Sequence, residues 1–366
     1  MSKNLFHYLP DELVSFISSF ISLNDLLSFA LTCRKNHRCA SDRLDLQVLY
    51  HKQYAVQHDR QPLTILELLR RATSGKEDTE PLWHIRTLEF WDGRLNWSQW
   101  KTTAFPFHFT DEDDDVEGED GNDWYSWYKL DPAQDYSHYT AGCFEATELE
   151  CYRNNFQNDL ALTPQETEEW ITSLLKGDDE PLKALLISQL PNLKTLTMFA
   201  HPEYEYTQAG HPLTLLNQTI KNLQTKPQTP SGPTWPAGLN SLTKLSINKF
   251  LSGEYEDFRH PHDAYYCPFS AIARFFHLPS IKSLSFSVAG CEDNNNNDGL
   301  GYLLPRACSL VEDLTFYCCC LMQNSAFENM VFSARMLRSL TTTEELSEAF
   351  RSKMMMVFPE YVVQKM

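Results

Sequence analysis

The strongest constraint on this chain is a nine-residue segment that occurs twice. Leu190-Pro-Asn-Leu193-Lys-Thr-Leu196-Thr-Met198 aligns position by position with Leu278-Pro-Ser-Ile281-Lys-Ser-Leu284-Ser-Phe286, with apolar residues at spacings of 3, 3 and 2. Leu239, Leu242, Leu245 and Ile247 share that register. Looser copies lie at Leu82, Ile85, Leu88, Phe90, at Cys308, Val311, Leu314, Phe316, and at Ala334, Leu337, Leu340, Thr342. With 42% hydrophobic residues, four apolar positions coincide in roughly 3% of windows, so the loose copies carry weight only beside the near-identical pair. The end of each copy alternates apolar and polar, as a strand buried on one side does, and the segment before it reads as a helix. A helix-strand unit of this kind buries its apolar face by stacking on its neighbour, which predicts an α/β array.

The clearest helix is announced by Thr163-Pro164-Gln165-Glu166: a cap, a proline in the first turn and a reciprocal acid. Trp170, Ile171, Leu174 and Leu175 follow on one face, and Gly177 ends it. Further helices are expected over 213–223, 268–276, 300–306, 325–333 and 343–358. Excess length falls at one kind of place, because segments 91–142, 200–212, 249–266 and 288–298 all follow a strand candidate, so they emerge on one side of the stack. That side is the expected binding face, since loops on a rigid scaffold are where recognition usually sits. The first insertion holds Trp91, Trp97, Trp100, Trp124, Tyr125, Trp127 and Tyr128 together with an acidic run, nine acids and no base over 111–123. Two readings stand. Either Trp97, Trp100, Trp124, Tyr125, Trp127 and Tyr128 form a surface for a protein substrate with a basic segment, or the acids are a solvated loop whose aromatics staple its ends to the scaffold.

The N-terminal region has a different pattern. Pro10 suits a first helical turn, and Asp11 and Glu12 favour the positive end of a helix dipole. Leu13, Phe16, Ile17, Phe20 and Ile21 then make a wide apolar face over 9–21. Ser22 and Asp25 resemble a capping box opening a second helix, 26 to about 35, that carries Leu26, Leu27, Ala30, Leu31 and Cys33. Helical stretches at 44–54 and 62–71 complete a small block with no room for a large core of its own.

The order Leu9-Pro10-x-Glu12-Leu13, Ile17, Phe20-Ile21, Asp25-Leu26-Leu27, Ala30, Cys33-Arg34 resembles the F-box motif, over about 40 of the 366 residues. Many F-boxes carry a tryptophan shortly after that arginine; here Lys35, Asn36 and His37 stand instead. The helix-strand units resemble a degenerate leucine-rich-repeat array of the kind often found behind F-boxes, with steps of 49, 39, 30 and 26 residues from Leu190 to Ala334. The Asn or Cys that regular arrays place after the strand is lacking. The fold these resemblances imply is α/β: a helical F-box (1–50), a helical linker (51–80) and an irregular leucine-rich-repeat solenoid (81–366) with long loop insertions. The function they imply is that of a non-catalytic adaptor in a Skp-cullin-F-box ubiquitin ligase. A Skp-family subunit, and through it a cullin, would bind Leu9, Pro10, Leu13, Ile17, Leu26, Leu27, Ala30, Cys33 and Arg34, and the array would hold a protein substrate. The alternative is a leucine-rich scaffold whose N-terminal helices merely cap the array.

Other chemistries find little support. Net charge is -18, of which the acidic run supplies half, and no basic stripe is visible in the linear sequence, so nucleic acid and anionic membranes are poor partners. No signal peptide or membrane-spanning run is evident, which places the chain in the cytoplasm or nucleus with its 10 cysteines reduced. His260, His262, Asp263 and Cys267 offer metal-ligand types, but Pro261 separates the histidines and no second pair matches them. Cys318, Cys319 and Cys320 would alternate across a strand. Gly299 and Gly301 lack the third glycine of a dinucleotide loop, and no catalytic constellation, metal or cofactor is expected.

Overall fold

The computed structural model describes residues 8–59, 62–73, 77–91, 93–101, 140–199, 212–225, 235–249, 267–268, 272–287, 289–290, 304–317, 325–343, 346–360 and 362–365. A helical N-terminal region leads into an α/β region built on a parallel sheet. The first part is α1 (Asp11–Ser19), α2 (Leu23–Leu31) and α3 (Arg34–Tyr54), with α4 (Pro62–Thr73) beyond it. α3 runs unbroken for 21 residues where the sequence reading placed the end of one helix and the start of another. The cause is Cys33, which adopts an extended backbone and receives the Asn36 N–H on its sulfur at 3.4 Å, so the chain restarts as a helix there.

Among the described residues the sheet has eight strands in the order β1-β2-β3-β4-β6-β8-β9-β10, every neighbour parallel. They are β1 (Val56–His58), β2 (Thr87–Phe90), β3 (Thr195–Phe199), β4 (Lys244–Lys249), β6 (Ser283–Ser287), β8 (Asp313–Tyr317), β9 (Ser339–Thr342) and β10 (Val362–Lys365). A separate two-stranded pair joins β5 (Cys267–Pro268) to β7 (Ala289–Gly290). The six copies of the 3, 3, 2 pattern are six adjacent strands in one register: Leu88, Leu196, Leu245, Leu284, Leu314 and Leu340 stand side by side. Every apolar position of the pattern is buried except Cys308, which is half-buried. A parallel ladder needs a crossover before each return, and the intervening chain supplies it.

Helices α5 (Ala146–Asn158), α6 (Pro164–Lys176), α7 (Glu180–Gln189), α8 (Pro212–Thr225), α9 (Ala237–Ser241), α10 (Ser325–Ser333) and α11 (Glu348–Val357) lie in that crossover chain. α6 begins as its sequence signals: Thr163 Oγ1 accepts from Glu166 N at 3.2 Å, and Thr163 N donates to Glu166 Oε2 at 2.8 Å. It ends at Gly177, whose φ of 96° suits a residue without Cβ. Of the expected helix 268–276, residues 272–273 are α-helical and lead into a 3-10 helix at Arg274–His277; of 300–306 only 304–306 are described, and they are not helical. In the C-terminal half the core is a run of rings, Phe286 to Phe316 at 5.7 Å, Phe316 to Phe327 at 5.0 Å and Phe327 to Phe350 at 5.3 Å. Among the described residues no helix is long and apolar enough to cross a membrane.

Candidate functional site

The N-terminal helices close on a very small core. Leu26, Ala30 and Ala40 are fully buried, with Ile21, Phe29 and Leu44 packed around them. Polar contacts do much of the fastening. Arg43 on α3 reaches the carbonyl ends of α1, donating to Ser18 O and, at 2.8 Å, to Ile21 O, and its other nitrogen meets Glu80 at 2.9 Å. Lys35 donates to Leu9 O, and Lys35 and Arg38 both pair with Asp11, whose carboxyl their hydrogen bonds hold below its usual pKa. Ser22 caps α2 by accepting from Asp25 N at 3.3 Å, and its hydroxyl donates to Asp25 Oδ2 at 2.6 Å. Three short helices thus hold one geometry with few buried side chains.

What that geometry leaves outside is apolar. Leu13 is 49% exposed, Phe16 62%, Phe20 73%, Leu27 56% and Leu31 72%. The α1 members recur at three and four residues and the α2 members at four, so each helix shows one stripe to solvent. Phe16 and Phe20 meet edge to face at 4.9 Å, which keeps both rings upright on the surface. At roughly 25 cal/mol per Å2 of apolar surface, five such side chains are a standing drive toward association.

Of the residues carried over from the motif, Pro10, Leu13, Leu27 and Arg34 lie exposed, while Leu9, Ile17 and Cys33 are half-buried. Leu26 and Ala30 lie inside the hairpin and support the face from behind instead of forming it. Phe16, Phe20 and Leu31 belong to the exposed face but not to the carried-over set; their helical spacing was the signal that places them there.

The aromatic insertion is fastened at its base. Trp100 is buried and donates its indole N–H to Gly177 O at 2.6 Å; Trp97, half-buried, donates to Leu175 O at 3.0 Å. Both indoles therefore satisfy carbonyls at the end of α6. This corrects the expectation that they form a partner surface: each is committed to the scaffold, as staples are. Trp91 stacks on Phe199 at 3.9 Å. Trp124, Tyr125, Trp127 and Tyr128 lie outside the described residues, as do His260, His262, Asp263 and Cys318 to Cys320.

Beneath that base lies a buried ionic group that the linear sequence does not reveal. Lys183 Nζ sits 3.0 Å from both Asp59 Oδ2 and Asp179 Oδ1, and Arg94 Nη1 is 3.1 Å from Asp179 Oδ2. Arg94 also donates to Asp59 O at 2.8 Å, and Trp91 N donates to Asp59 Oδ1 at 2.6 Å. Burial alone would lower the Lys183 pKa, but Asp179 and Asp59 hold it above the usual lysine value. Two cations and two anions cancel, and all four are sealed, so the group clasps α7 to the end of β1 and to the chain after β2. It is built for fastening, not for turnover. Next to it burial raises Asp178 to about 6 and pushes Glu180 well above the usual carboxylate range; Glu180 accepts from Leu215 N in the first turn of α8 at 2.9 Å. Among the described residues no three His, Cys, Asp or Glu side chains gather as a metal set.

Compared with known families, residues 6–46 match the F-box-like model. A search of curated proteins finds no match. The matched span contains α1, α2, the first half of α3 and the whole five-residue exposed face.

Proposed function

We propose that the chain is the substrate-recognition adaptor of a Skp-cullin-F-box ubiquitin ligase, with residues 1–50 as the F-box, 51–80 as a helical linker and 81–366 as a degenerate leucine-rich-repeat solenoid. F-box-like domains generally bind Skp-type adaptors. The observation that carries the reading is the uncovered stripe of Leu13, Phe16, Phe20, Leu27 and Leu31 within the matched span. Leu9, Pro10, Leu13, Ile17, Leu27, Cys33 and Arg34 form the contact, with Leu26 and Ala30 shaping it from inside. A partner helix laid on such a face gains apolar burial that the chain itself does not provide.

The array presents a protein substrate to a charged ubiquitin carrier, and the chemistry is proximity: holding the target near the carrier raises its effective concentration without an active-site residue in this chain. Loops that follow the strands form the substrate side. The acidic, aromatic insertion, with Trp124, Tyr125, Trp127 and Tyr128, takes a basic segment of the substrate, and Trp97 and Trp100 anchor its root. Six strands in one register, with the 3, 3, 2 pattern buried in all six apart from the half-buried Cys308, support the repeat reading.

Co-purification tests the proposal. The wild-type chain brings down a Skp-type adaptor, and a Leu9→Ala, Pro10→Ala double variant does not. Equal recovery by both contradicts the assignment. Deleting 111–123 removes partners that bind through a basic segment; survival of every partner removes that part of the reading.

A further inference from the structure

The repeat carries a second regularity besides its leucines. In both near-identical copies the residue before the strand is lysine, Lys194 and Lys282, and the looser copies place Arg86 and Arg338 there. Thr243 and Glu312 are the exceptions, and Thr243 is followed at once by Lys244. These positions are joined by the ladder itself: Lys194 N donates to Arg86 O at 2.8 Å, Thr243 N to Lys194 O at 3.0 Å, Lys282 N to Thr243 O at 2.8 Å, Glu312 N to Lys282 O at 2.7 Å and Arg338 N to Glu312 O at 2.7 Å. The row therefore crosses one rim of the sheet, roughly 24 Å over six strands at the usual inter-strand spacing. Its cations are 108, 88 and 56 residues apart from Arg86 through Lys194 and Lys282 to Arg338, so only the fold assembles them.

The rim is accessible and short of counter-charge. The side chains of Lys282 and Arg338 are 62% and 69% exposed, and Lys194 and Lys244 are exposed as well. Among the described residues Arg86, Lys194 and Lys244 have no carboxylate partner; Arg86 and Lys194 donate only to the carbonyls of Asn192 and Ser241, at 3.2 and 3.4 Å. Glu312 is shared by Lys282 at 3.0 Å and Arg338 at 3.1 Å, and Asp313 stands beside it. From β2 to β6 the charged residues of the row are cations, and Lys244 stands one residue further on as the first residue of β4; with those first strand residues counted, five cations face two anions across all six strands. In a chain of net charge -18 this is a local inversion of sign.

We infer that this rim is a docking surface for an acidic segment of a partner polypeptide, laid across the strands from β2 to β6. A polyphosphate or an anionic membrane would extend past the rim and meet the negative remainder of the molecule, whereas a short carboxylate-rich segment meets only the cations. The anionic end at Glu312 and Asp313 bounds the site and fixes which way the segment's charge must fall. The surface shares no residue with the apolar face of α1 and α2, and it takes a partner of charge opposite to the one proposed for the acidic insertion.

The test uses the full-length chain and a fluorescein-labelled oligoglutamate peptide, read by anisotropy at low salt. The combined Lys194→Glu, Lys244→Glu and Lys282→Glu variant weakens binding by about tenfold or more, while Lys→Arg at the same three positions retains it. Salt at about 0.5 M removes the binding, because exposed charges are then screened within a few ångströms. Exposed rim positions leave the melting temperature of both variants near that of the wild type, so loss of binding is not loss of fold. Equal affinity of the wild type and the charge-reversed variant overturns the inference. So does a wild-type chain that binds only once 111–123 is deleted, since the rim is then held by the chain's own acidic run.

Discussion

The helical N-terminus and the parallel-sheet array treat burial in opposite ways. In α1 to α3 a small core around Leu26, Ala30 and Ala40 is fastened by Arg43, Lys35 and capping groups, and Leu13, Phe16, Phe20, Leu27 and Leu31 are left outside, as are Leu46, Val48 and Leu49 on α3. In the array burial extends even to charge: Lys183, Arg94, Asp179 and Asp59 are sealed together, and α7 is buried along almost its whole length. A closed interior of that kind serves shape. An open apolar face on a polar frame is useful only with something to cover it. The two regions thus differ in what they bury, and the proposed adaptor contact rests on that difference.

The comparison can be broken most severely at the clasp. Lys183→Met leaves Asp59 and Asp179 buried beside a single remaining cation, and removing one member of a buried ion group typically costs about 3–5 kcal/mol. Urea unfolding monitored by tryptophan fluorescence should show that loss; a change below about 1 kcal/mol would mean that the array does not depend on the clasp. Next in size is Gly238→Ala. An added Cβ would stand 1.7 Å from Ile187 O, a backbone atom of α7, so α9 and α7 must part, for about 1–3 kcal/mol. A wild-type midpoint for this variant would show that the two helices are not in fixed contact.

A third variant sharpens the contrast by improving the array. Asp178 titrates near 6 in the folded chain against an ordinary 3.8, because burial disfavours its charged form. The folded state therefore binds the proton more tightly, and the stability it carries is present below about pH 4 and lost as pH rises through 6. Asp178→Asn keeps an acceptor for Glu180 N, now bonded at 3.0 Å, without the buried charge. It should raise stability by about 3 kcal/mol at pH 7 and by only about 0.5 kcal/mol at pH 4. An equal gain at both pH values would assign the effect to something other than the carboxylate.

How far these features could be read in advance differs between the halves for physical reasons. Strand positions were legible because the 3, 3, 2 spacing is local, and α6 was legible because Thr163, Pro164, Glu166 and Gly177 each state a boundary. Helix α7 was not, since Leu182 to Ser188 are buried on every side and no amphipathic period remains to be seen. α5 was passed over because its apolar positions, Tyr152 and Phe156 among them, are few between polar neighbours. The ionic clasp joins residues as far apart as Asp59 and Lys183, and the basic rim spans Arg86 to Arg338; neither leaves a local pattern. On the apolar face, Leu13 and Leu27 followed from the motif. Phe20 stood in the motif without being carried over as a contact, and Phe16 and Leu31 followed only from helical spacing, because which side of a helix stays open depends on what packs against the other.

The most direct measurement pairs stability with affinity on one variant, Leu13→Ser, Phe16→Ser, Leu27→Ser. If the face is uncovered by its own chain, the urea midpoint moves by less than about 0.5 kcal/mol per site while binding of a Skp-type adaptor is lost. A large fall in stability with affinity intact would show that these side chains serve the chain's own core, and would contradict the account.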